Sequence, residues 1–214
     1  MKSVELREVQ WMKLSRLQAF SDGVFAILIT ILVLDFKVPN YQTGHLLTAV
    51  LQQWPVLAAY ILSFMYIGIL WLFHHDLFSV FAQIDRNVNL LNLLMLFAIT
   101  LINYPTALLS HTLMQHERAD LQVAFISYAA IALFISLTFL LLYSYLSQHP
   151  ELKSKRVSPE LFATISYDPL RSMVIYFLSI VATFFSVELG ALLLVGGIIF
   201  HFYAYLHLSR RIII

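Results

Sequence analysis

The chain lacks cysteine entirely, and only 12% of its 214 residues are charged. Without cysteine there can be no disulfide, no cysteine-ligated iron–sulfur cluster and no thiol nucleophile. Soluble domains carry about 25% charged residues, whereas here 60% of residues are hydrophobic and the mean hydropathy is +0.81. A core of this size cannot hide so much apolar surface from water. Lipid must therefore be part of the solvent.

Glycine and proline are scarce, with six of each, and the formal net charge is only +1. Secondary transporters tend to have inverted repeats with helices broken by Gly or Pro at mid-membrane, and no two corresponding spans are broken in that way here. The small net charge gives no reason to expect a nucleic-acid partner. The sequence shows no HExxH motif, no Ser–His pair and no paired mid-membrane aspartates. We therefore expect no enzyme, no metal site and no cofactor.

Six apolar segments are long enough to cross a bilayer, which takes about 20 residues in a helix. Between the last two, Glu188 and Gly190 mark a tight hairpin at the membrane interface, because an isolated carboxylate in lipid is costly. The predicted fold is an all-α membrane protein with six transmembrane helices in a single repeat, forming one domain over residues 1–214. The predicted spans are 17–36, 54–73, 88–109, 121–146, 170–187 and 189–208.

Lysine and arginine in the short loops predict the orientation. If both termini are cytoplasmic, eleven of the 13 basic residues fall on the inner side and only Lys37 and Arg118 on the outer side. We therefore expect a multi-pass protein of the cell (inner) membrane with both termini in the cytoplasm. The N-terminal stretch MKSVELREVQWMKLSRL has no apolar core or cleavage site, so we expect it to be retained. The inner set is Lys2, Arg7, Lys13, Arg16, Arg86, Lys153, Lys155, Arg156, Arg171, Arg210 and Arg211.

The first span has an apolar face and a polar pair on the opposite side. At 100° per residue, Ile27, Ile31 and Leu34 share one face. Ser21 and Asp22 lie at about 120° and 220° from Ile27. Two interpretations of the polar pair are open. It can start the helix at the interface, where a carboxylate favours the positive end of the dipole, or it can belong to a buried polar network.

Candidate partners for Asp22 lie at the same membrane side, where the second span ends in WLFHHDLF. The Trp71 indole can only donate a hydrogen bond, and His74 or His75 can donate from one ring nitrogen. An interfacial aromatic cluster without a special role is the alternative. A zinc site with Asp76 is disfavoured because adjacent histidines point about 100° apart on a helix.

Arg16, followed by Phe20, Ser21, Asp22 and an aliphatic helix, resembles the signature of the transmembrane protein 175 family of potassium channels. The WLFHH segment is similar to that family's second helix. Prokaryotic members have one six-helix repeat per chain and assemble as tetramers, so the resemblance implies a homotetramer in the lipid bilayer that conducts potassium ions. It also implies a structural polar network of Arg16, Phe20, Ser21, Asp22, Trp71, His74 and His75.

The resemblance further implies that the first helices of four subunits line the pore. In this family an aliphatic constriction replaces a carbonyl filter, and no TVGYG-like run occurs in this chain. Ile27 is implied as the first constriction residue, followed by Ile31 and Leu34, with Thr30 bordering the path. Such a constriction favours potassium because sodium sheds its water more reluctantly. Asp35 either concentrates cations at the pore mouth or marks the helix end.

Other interpretations remain open. A proton-conducting channel on the same scaffold would use Asp22, His74 or His75 as titrating groups. A secondary transporter is less favoured. The stripe beginning at Ile27 can also be ordinary lipid-facing or core packing. His201 in the last span is interpreted as a packing histidine with its hydrogen bonds satisfied.

Overall fold

The structure is a computed structural model that describes residues 2–115, 117–154 and 159–212. The predicted topology residues Lys155 and Arg156 lie outside the described residues. Short 3-10 turns at Leu32–Asp35 and Pro150–Leu152 join a series of helices. The α-helices of the described chain are α1 (Lys2–Ile31), α2 (Leu46–Gln52), α3 (Trp54–Ser79), α4 (Arg86–Thr100), α5 (Asn103–Gln115), α6 (Arg118–Gln148), α7 (Pro159–Ser166), α8 (Asp168–Phe185) and α9 (Val187–Ile212).

Six helical segments within the described residues are long and apolar enough to cross a membrane. The predicted class, an all-α membrane protein with six spanning helices, is confirmed. An even number of spans places both ends of the bundle on the same side of the membrane. The segments are Leu14–Asp35, Trp54–Ser79, Arg86–Gln115, Arg118–Gln148, Asp168–Phe185 and Val187–Leu206.

The third span, Arg86–Gln115, is longer than the predicted 88–109 and consists of α4 and α5. Pro105 has no N–H with which to continue the helical ladder. The chain turns at Leu101 and Ile102, whose carbonyls accept from the N–H groups of Tyr104 and Thr106 at 3.2 Å in both cases. The short helices α2 and α7 lie in segments that the sequence analysis treats as loops.

Helix α6 lies at the centre of the bundle and packs against α4, α5, α8 and α9. Three alanines on it, Ala124, Ala129 and Ala132, are at most 1% exposed. Small side chains let neighbouring helix backbones approach closely, which is how spanning helices pack when no water drives them together. The interior is thus formed by α6, the four helices around it and α3, whose Tyr66, Ile67 and Leu77 are 0% exposed.

The α8–α9 hairpin is present, but it turns at Ser186, and the predicted turn residues Glu188 and Gly190 lie inside α9. Ser186 has an extended backbone (φ −149°, ψ 122°), and its Oγ accepts from the Leu189 N–H at 3.2 Å. The same hydroxyl donates to Glu188 Oε2 at 2.6 Å. Ser186 therefore caps the start of α9, and Glu188 stays exposed at the end of the bundle.

The loop before α4 is fixed by Asp85. Its Oδ1 accepts from the Val88 N–H at 2.8 Å, and its Oδ2 accepts from the Tyr145 hydroxyl at 2.5 Å. Burial alone would raise the pKa of Asp85, but hydrogen bonds from Tyr145 and from the backbone at Val88 and Asn87 hold it below its ordinary value. The charged carboxylate therefore anchors α4 to α6.

We predict that Gly190→Ala destabilises the α8–α9 hairpin. An added Cβ would lie 1.9 Å from Thr183 Oγ1 and 2.9 Å from the Thr183 Cα, which belongs to the backbone and cannot rotate away. Overpacking of this kind costs about 1–3 kcal/mol or more. Thermal unfolding in detergent measures it. Gly196→Ala in the same helix is the matched control, because its added Cβ meets nothing within 4 Å. Equal melting temperatures for the two variants would contradict the prediction.

Candidate functional site

Helix α1 contacts the rest of the chain through a narrow stripe. Ser21, Phe25, Leu28 and Leu32 are between 0% and 4% exposed, and α1 packs against α3 and α4. Only 22% of the most apolar stretch of this span is buried, against 50% in the third and fourth spans. Most of the α1 surface is therefore free of contact within the single chain.

A buried chain of hydrogen bonds joins α1, α3 and α4. Asn92 Nδ2 donates to Ser21 Oγ at 3.0 Å, and Asn92 Oδ1 lies 2.9 Å from His74 Nε2. The Ser21 hydroxyl donates in turn to the Leu17 carbonyl at 2.9 Å. All three polar side chains are at most 1% exposed. Since an amide oxygen only accepts, His74 carries its proton on Nε2.

Aromatic rings enclose the His74 imidazole. Phe78 stacks on it at 4.4 Å between ring centroids, and Phe25 meets it edge-on at 5.4 Å. These contacts exclude solvent, so an unpaired polar atom in this region would be costly. The Asn92 amide satisfies the histidine and the serine together, and this fixes the rotation of α1 relative to α3 and α4.

A second polar group lies on the exposed side of α1. The Trp71 Nε1–H donates to Asp22 Oδ1 at 2.8 Å, and His75 packs against the indole at 6.0 Å between ring centroids. Asp22 and His75 are exposed in the single chain, and Trp71 is 37% exposed. Arg16 and Phe20 are also exposed, and Arg16 forms no ion pair with the described residues.

The structure thus shows two polar groups where the sequence analysis expects one network. Ser21 and Asp22 are adjacent, so they point about 100° apart on the helix, and only Ser21 reaches the interior. The predicted network lacks Asn92, although an amide within an apolar span signals a buried partner. In the described part of the chain, no three histidine or acidic side chains come together as metal ligands.

The face implied for the pore is exposed in the single chain. Ile27, Ile31 and Leu34 are 58%, 42% and 69% exposed, whereas the adjacent Leu28 is 4% exposed. Thr30 is also exposed, and its hydroxyl lies 3.0 Å and 2.9 Å from the Ala26 and Ile27 carbonyls. These side chains can meet lipid or other copies of the chain.

Asp35 occupies the last position of the 3-10 turn that ends this span. Its side chain is partly buried, and Lys37 follows two residues later. The carboxylate therefore lies at the far end of the span from Asp22.

Comparison with known proteins identifies the family. A family model described as "Endosomal/lysosomal potassium channel TMEM175" matches residues 16–103, from the start of the polar α1 motif to the beginning of α5. A curated potassium channel of Streptomyces collinus is 43% identical over 143 residues, which cover 66% of this chain and 68% of that protein. The chain belongs to the TMEM175 family. Members of this family are ion channels and not enzymes.

TMEM175 relatives also match in structure. The crystal structure of a homologue from Chamaesiphon minutus, described as that of a lysosomal potassium-selective channel TMEM175 homologue, superimposes with a TM-score of 0.77 at 32% identity. The match covers 91% of this chain and 98% of the homologue. A chicken (Gallus gallus) relative named as an endosomal/lysosomal proton channel is 32% identical over 190 residues, covering 81% of this chain but only 38% of that protein.

We predict that Asn92→Leu weakens the bundle, because the buried His74 Nε2–H loses its acceptor. An orphaned buried donor costs about 1–3 kcal/mol. Each kcal/mol lowers the melting temperature by about 2–4 °C for a chain of this size, which thermal unfolding in detergent can resolve. Asn89→Leu on the same helix is the control, because the described residues offer the Asn89 side chain no hydrogen-bond partner. Asn92→Leu with unchanged stability would show that the hydrogen-bond chain does not fix α1.

Proposed function

We propose that this protein is a potassium channel of the cell (inner) membrane, with both termini cytoplasmic. Residues 1–214 act as a single channel domain that needs no cofactor or metal. Four copies form a homotetramer, and their α1 helices line a central pore. The names of the Streptomyces and Chamaesiphon relatives support potassium as the permeant ion.

The observation that carries this proposal is the mixed composition of the exposed α1 face. Ile27 and Ile31 share this face with the Thr30 hydroxyl, and the Asp22 carboxylate is exposed on the same helix. A lipid-facing helix would be expected to be uniformly apolar, because a carboxylate in hydrocarbon is costly unless it has partners or water. A face that carries a hydroxyl among aliphatic side chains, on a helix that also exposes a carboxylate, fits a water-containing path between copies of the chain.

In a closed ring of subunits, the exposed α1 face of every subunit would line the same central path. Repeating one head-to-tail contact by a rotation that closes gives a cyclic oligomer, and each subunit then places the same α1 residues around the axis. One Ile27 per subunit becomes a ring of four aliphatic side chains, followed by rings of Ile31 and Leu34. Thr30 borders the path, and Asp35 lies near its outer mouth, where four carboxylates attract cations.

The aliphatic rings would discriminate between potassium and sodium by the free-energy cost of removing water from each ion. An apolar constriction offers no oxygen ligands, so an ion must shed water or pass when the constriction is wetted. Potassium holds its water less tightly than sodium and is therefore favoured. In this proposal Ser21, Asn92 and His74 fix the rotation of α1, while Trp71 holds Asp22 and His75 packs against Trp71.

Proton conduction on the same scaffold is the second candidate. The chicken relative is named a proton channel, and Asp22 and His75 are exposed titratable groups on α1 and α3. In this proposal they would exchange protons with water at the cytoplasmic end of the path.

Flux through reconstituted protein separates the two candidates. We expect proteoliposomes with an outward potassium gradient to develop a potential that follows the potassium ratio at constant pH. A pH gradient without a potassium gradient should produce a much smaller potential. A voltage-sensitive dye reads both, and protein-free liposomes are the control. A potential that follows pH and ignores potassium would favour the proton channel.

We predict that Ile27→Asn lowers the potassium-to-sodium permeability ratio several-fold. Four Asn side-chain amides around the axis would hold water in the constriction, so sodium could pass with its hydration shell. Ile31→Asn and Leu34→Asn should act in the same direction more weakly. Reversal potentials under bi-ionic potassium and sodium conditions measure the ratio for each variant.

Two controls test whether the correct face was chosen. Ile61→Asn on α3 makes the same chemical change at a position that is 51% exposed, close to the 58% of Ile27, and should leave the reversal potential unchanged. Leu28→Asn should reduce folding yield instead, because Leu28 is buried. The assignment of α1 as the pore helix is wrong if Ile27→Asn keeps the parental reversal potential while Ile61→Asn shifts it.

A further inference from the structure

A cluster of aromatic polar side chains lies inside each subunit, apart from α1. Tyr66 of α3, Tyr176 of α8 and His201 of α9 pack together, with ring centroids 5.9–6.3 Å apart. Tyr128 of α6 joins them at 6.3 Å from Tyr66. The three tyrosines are 0% exposed and His201 is 7% exposed. The cluster thus connects four helices at the centre of the bundle.

The polar atoms of this cluster fall into two sets. The Tyr128 hydroxyl lies 3.0 Å from Ser63 Oγ, which in turn lies 2.7 Å from Thr106 Oγ1. The Tyr66 hydroxyl, the Tyr176 hydroxyl and His201 Nε2 have no hydrogen-bond partner among the described residues. His201 is therefore a packing histidine, as the sequence analysis expects, but its Nε2 is not satisfied by the protein.

The two hydroxyls are neighbours that interact with each other, although neither has a hydrogen-bond partner by distance and angle. A direct bond between them would still leave the second hydroxyl proton without an acceptor of its own. Buried polar groups that find no protein partner are normally satisfied by internal water, which makes two to four hydrogen bonds at such sites. Lipid cannot supply a partner to a bundle interior.

We propose that each subunit contains an internal water-binding site formed by Tyr66, Tyr176 and His201. Bound water donates to His201 Nε2, or accepts from it in the other tautomer, and bridges the two tyrosine hydroxyls. The ligand is a small neutral group that both donates and accepts, since the site presents two hydroxyls and an imidazole nitrogen and no charged side chain. The site is distinct from the α1 face and does not depend on which ion permeates.

A cavity beside His201 has room for water next to one member of the cluster. Its volume is about 30 Å³, and one water needs about 10–15 Å³ of such space, so about two waters fit. Ser136 and Asp168 line it together with His201, among apolar side chains of α3 and α6. Asp168 is the first residue of α8 and pairs with Arg171 at 2.8 Å. The cavity therefore lies between His201 and the end of the bundle where α8 begins, and neither Tyr66 nor Tyr176 lines it.

The sign of the stability change caused by removing a tyrosine hydroxyl distinguishes a hydrated site from a dry one. Removing a hydroxyl that is truly unpaired relieves a desolvation penalty, whereas removing one that holds water loses a hydrogen bond. We therefore expect Tyr66→Phe to lower the melting temperature by about 2–4 °C, as should Tyr176→Phe. Tyr128→Phe is the matched control with a direct protein partner, and its shift should have the same sign. A raised melting temperature for Tyr66→Phe overturns the proposal.

Radiolytic hydroxyl labelling of the unmodified protein in detergent provides an independent measurement. Hydroxyl radicals form from bound water, so Tyr66 and Tyr176 should be labelled at least several-fold more than Phe78, which is also 0% exposed. Labelling of the two tyrosines no greater than that of Phe78 overturns the proposal. This measurement needs no substitution, so it decides the question if a variant fails to fold.

Discussion

The Asn92 side chain imposes the constraint on which the rest of the site depends. It is an amide inside an apolar span, where lost hydrogen bonds cannot be replaced by water. Its two partners come from two other helices, so both bonds form only when α1, α3 and α4 have one particular rotation. The apolar contacts of Phe25, Leu28 and Leu32 are non-directional and would tolerate small shifts. The hydrogen bonds remove that freedom, and the direction of the exposed α1 face follows from them.

The packing of α8 against α9 is stabilised in a different way. Where α8 meets α9, Ser179 Oγ donates to the Gly190 carbonyl at 2.8 Å, and Gly190 and Gly197 leave room for Thr183 and Tyr176. These contacts depend on backbone proximity and small residues, as is common between spanning helices. The chain thus has one side where polar side chains fix the rotation of a helix and another side where glycines fix the distance between helices.

Much of the fold can be predicted from the sequence because lipid imposes a simple length rule. The apolar runs predict all six spans. The helical rotation of 100° per residue also distinguishes the buried Leu28 from the exposed Ile27. The hydrogen bonds of Asn92 to Ser21 and His74 could not be predicted. The third span contains three asparagines, Asn89, Asn92 and Asn103, and the sequence does not show which of them faces α1 and α3. The short helices α2 and α7 have seven and eight residues, too few for a clear periodic pattern. The unpaired state of His201 depends on side-chain angles from three other helices, which no local pattern encodes.

The 3-10 turn that ends α1 has a geometric consequence for the proposed pore. In an α-helix, Leu34 would be rotated about 60° from Ile31 and displaced about 4.5 Å along the axis. In a 3-10 turn, residues three apart eclipse each other, and the displacement is about 6 Å. In a fourfold ring the Ile31 and Leu34 side chains would then stand in four straight columns, with their gaps aligned. An ion leaving the Ile31 ring would meet the Leu34 ring without a sideways step, and the distance between these two rings would be about a third longer than in a regular helix.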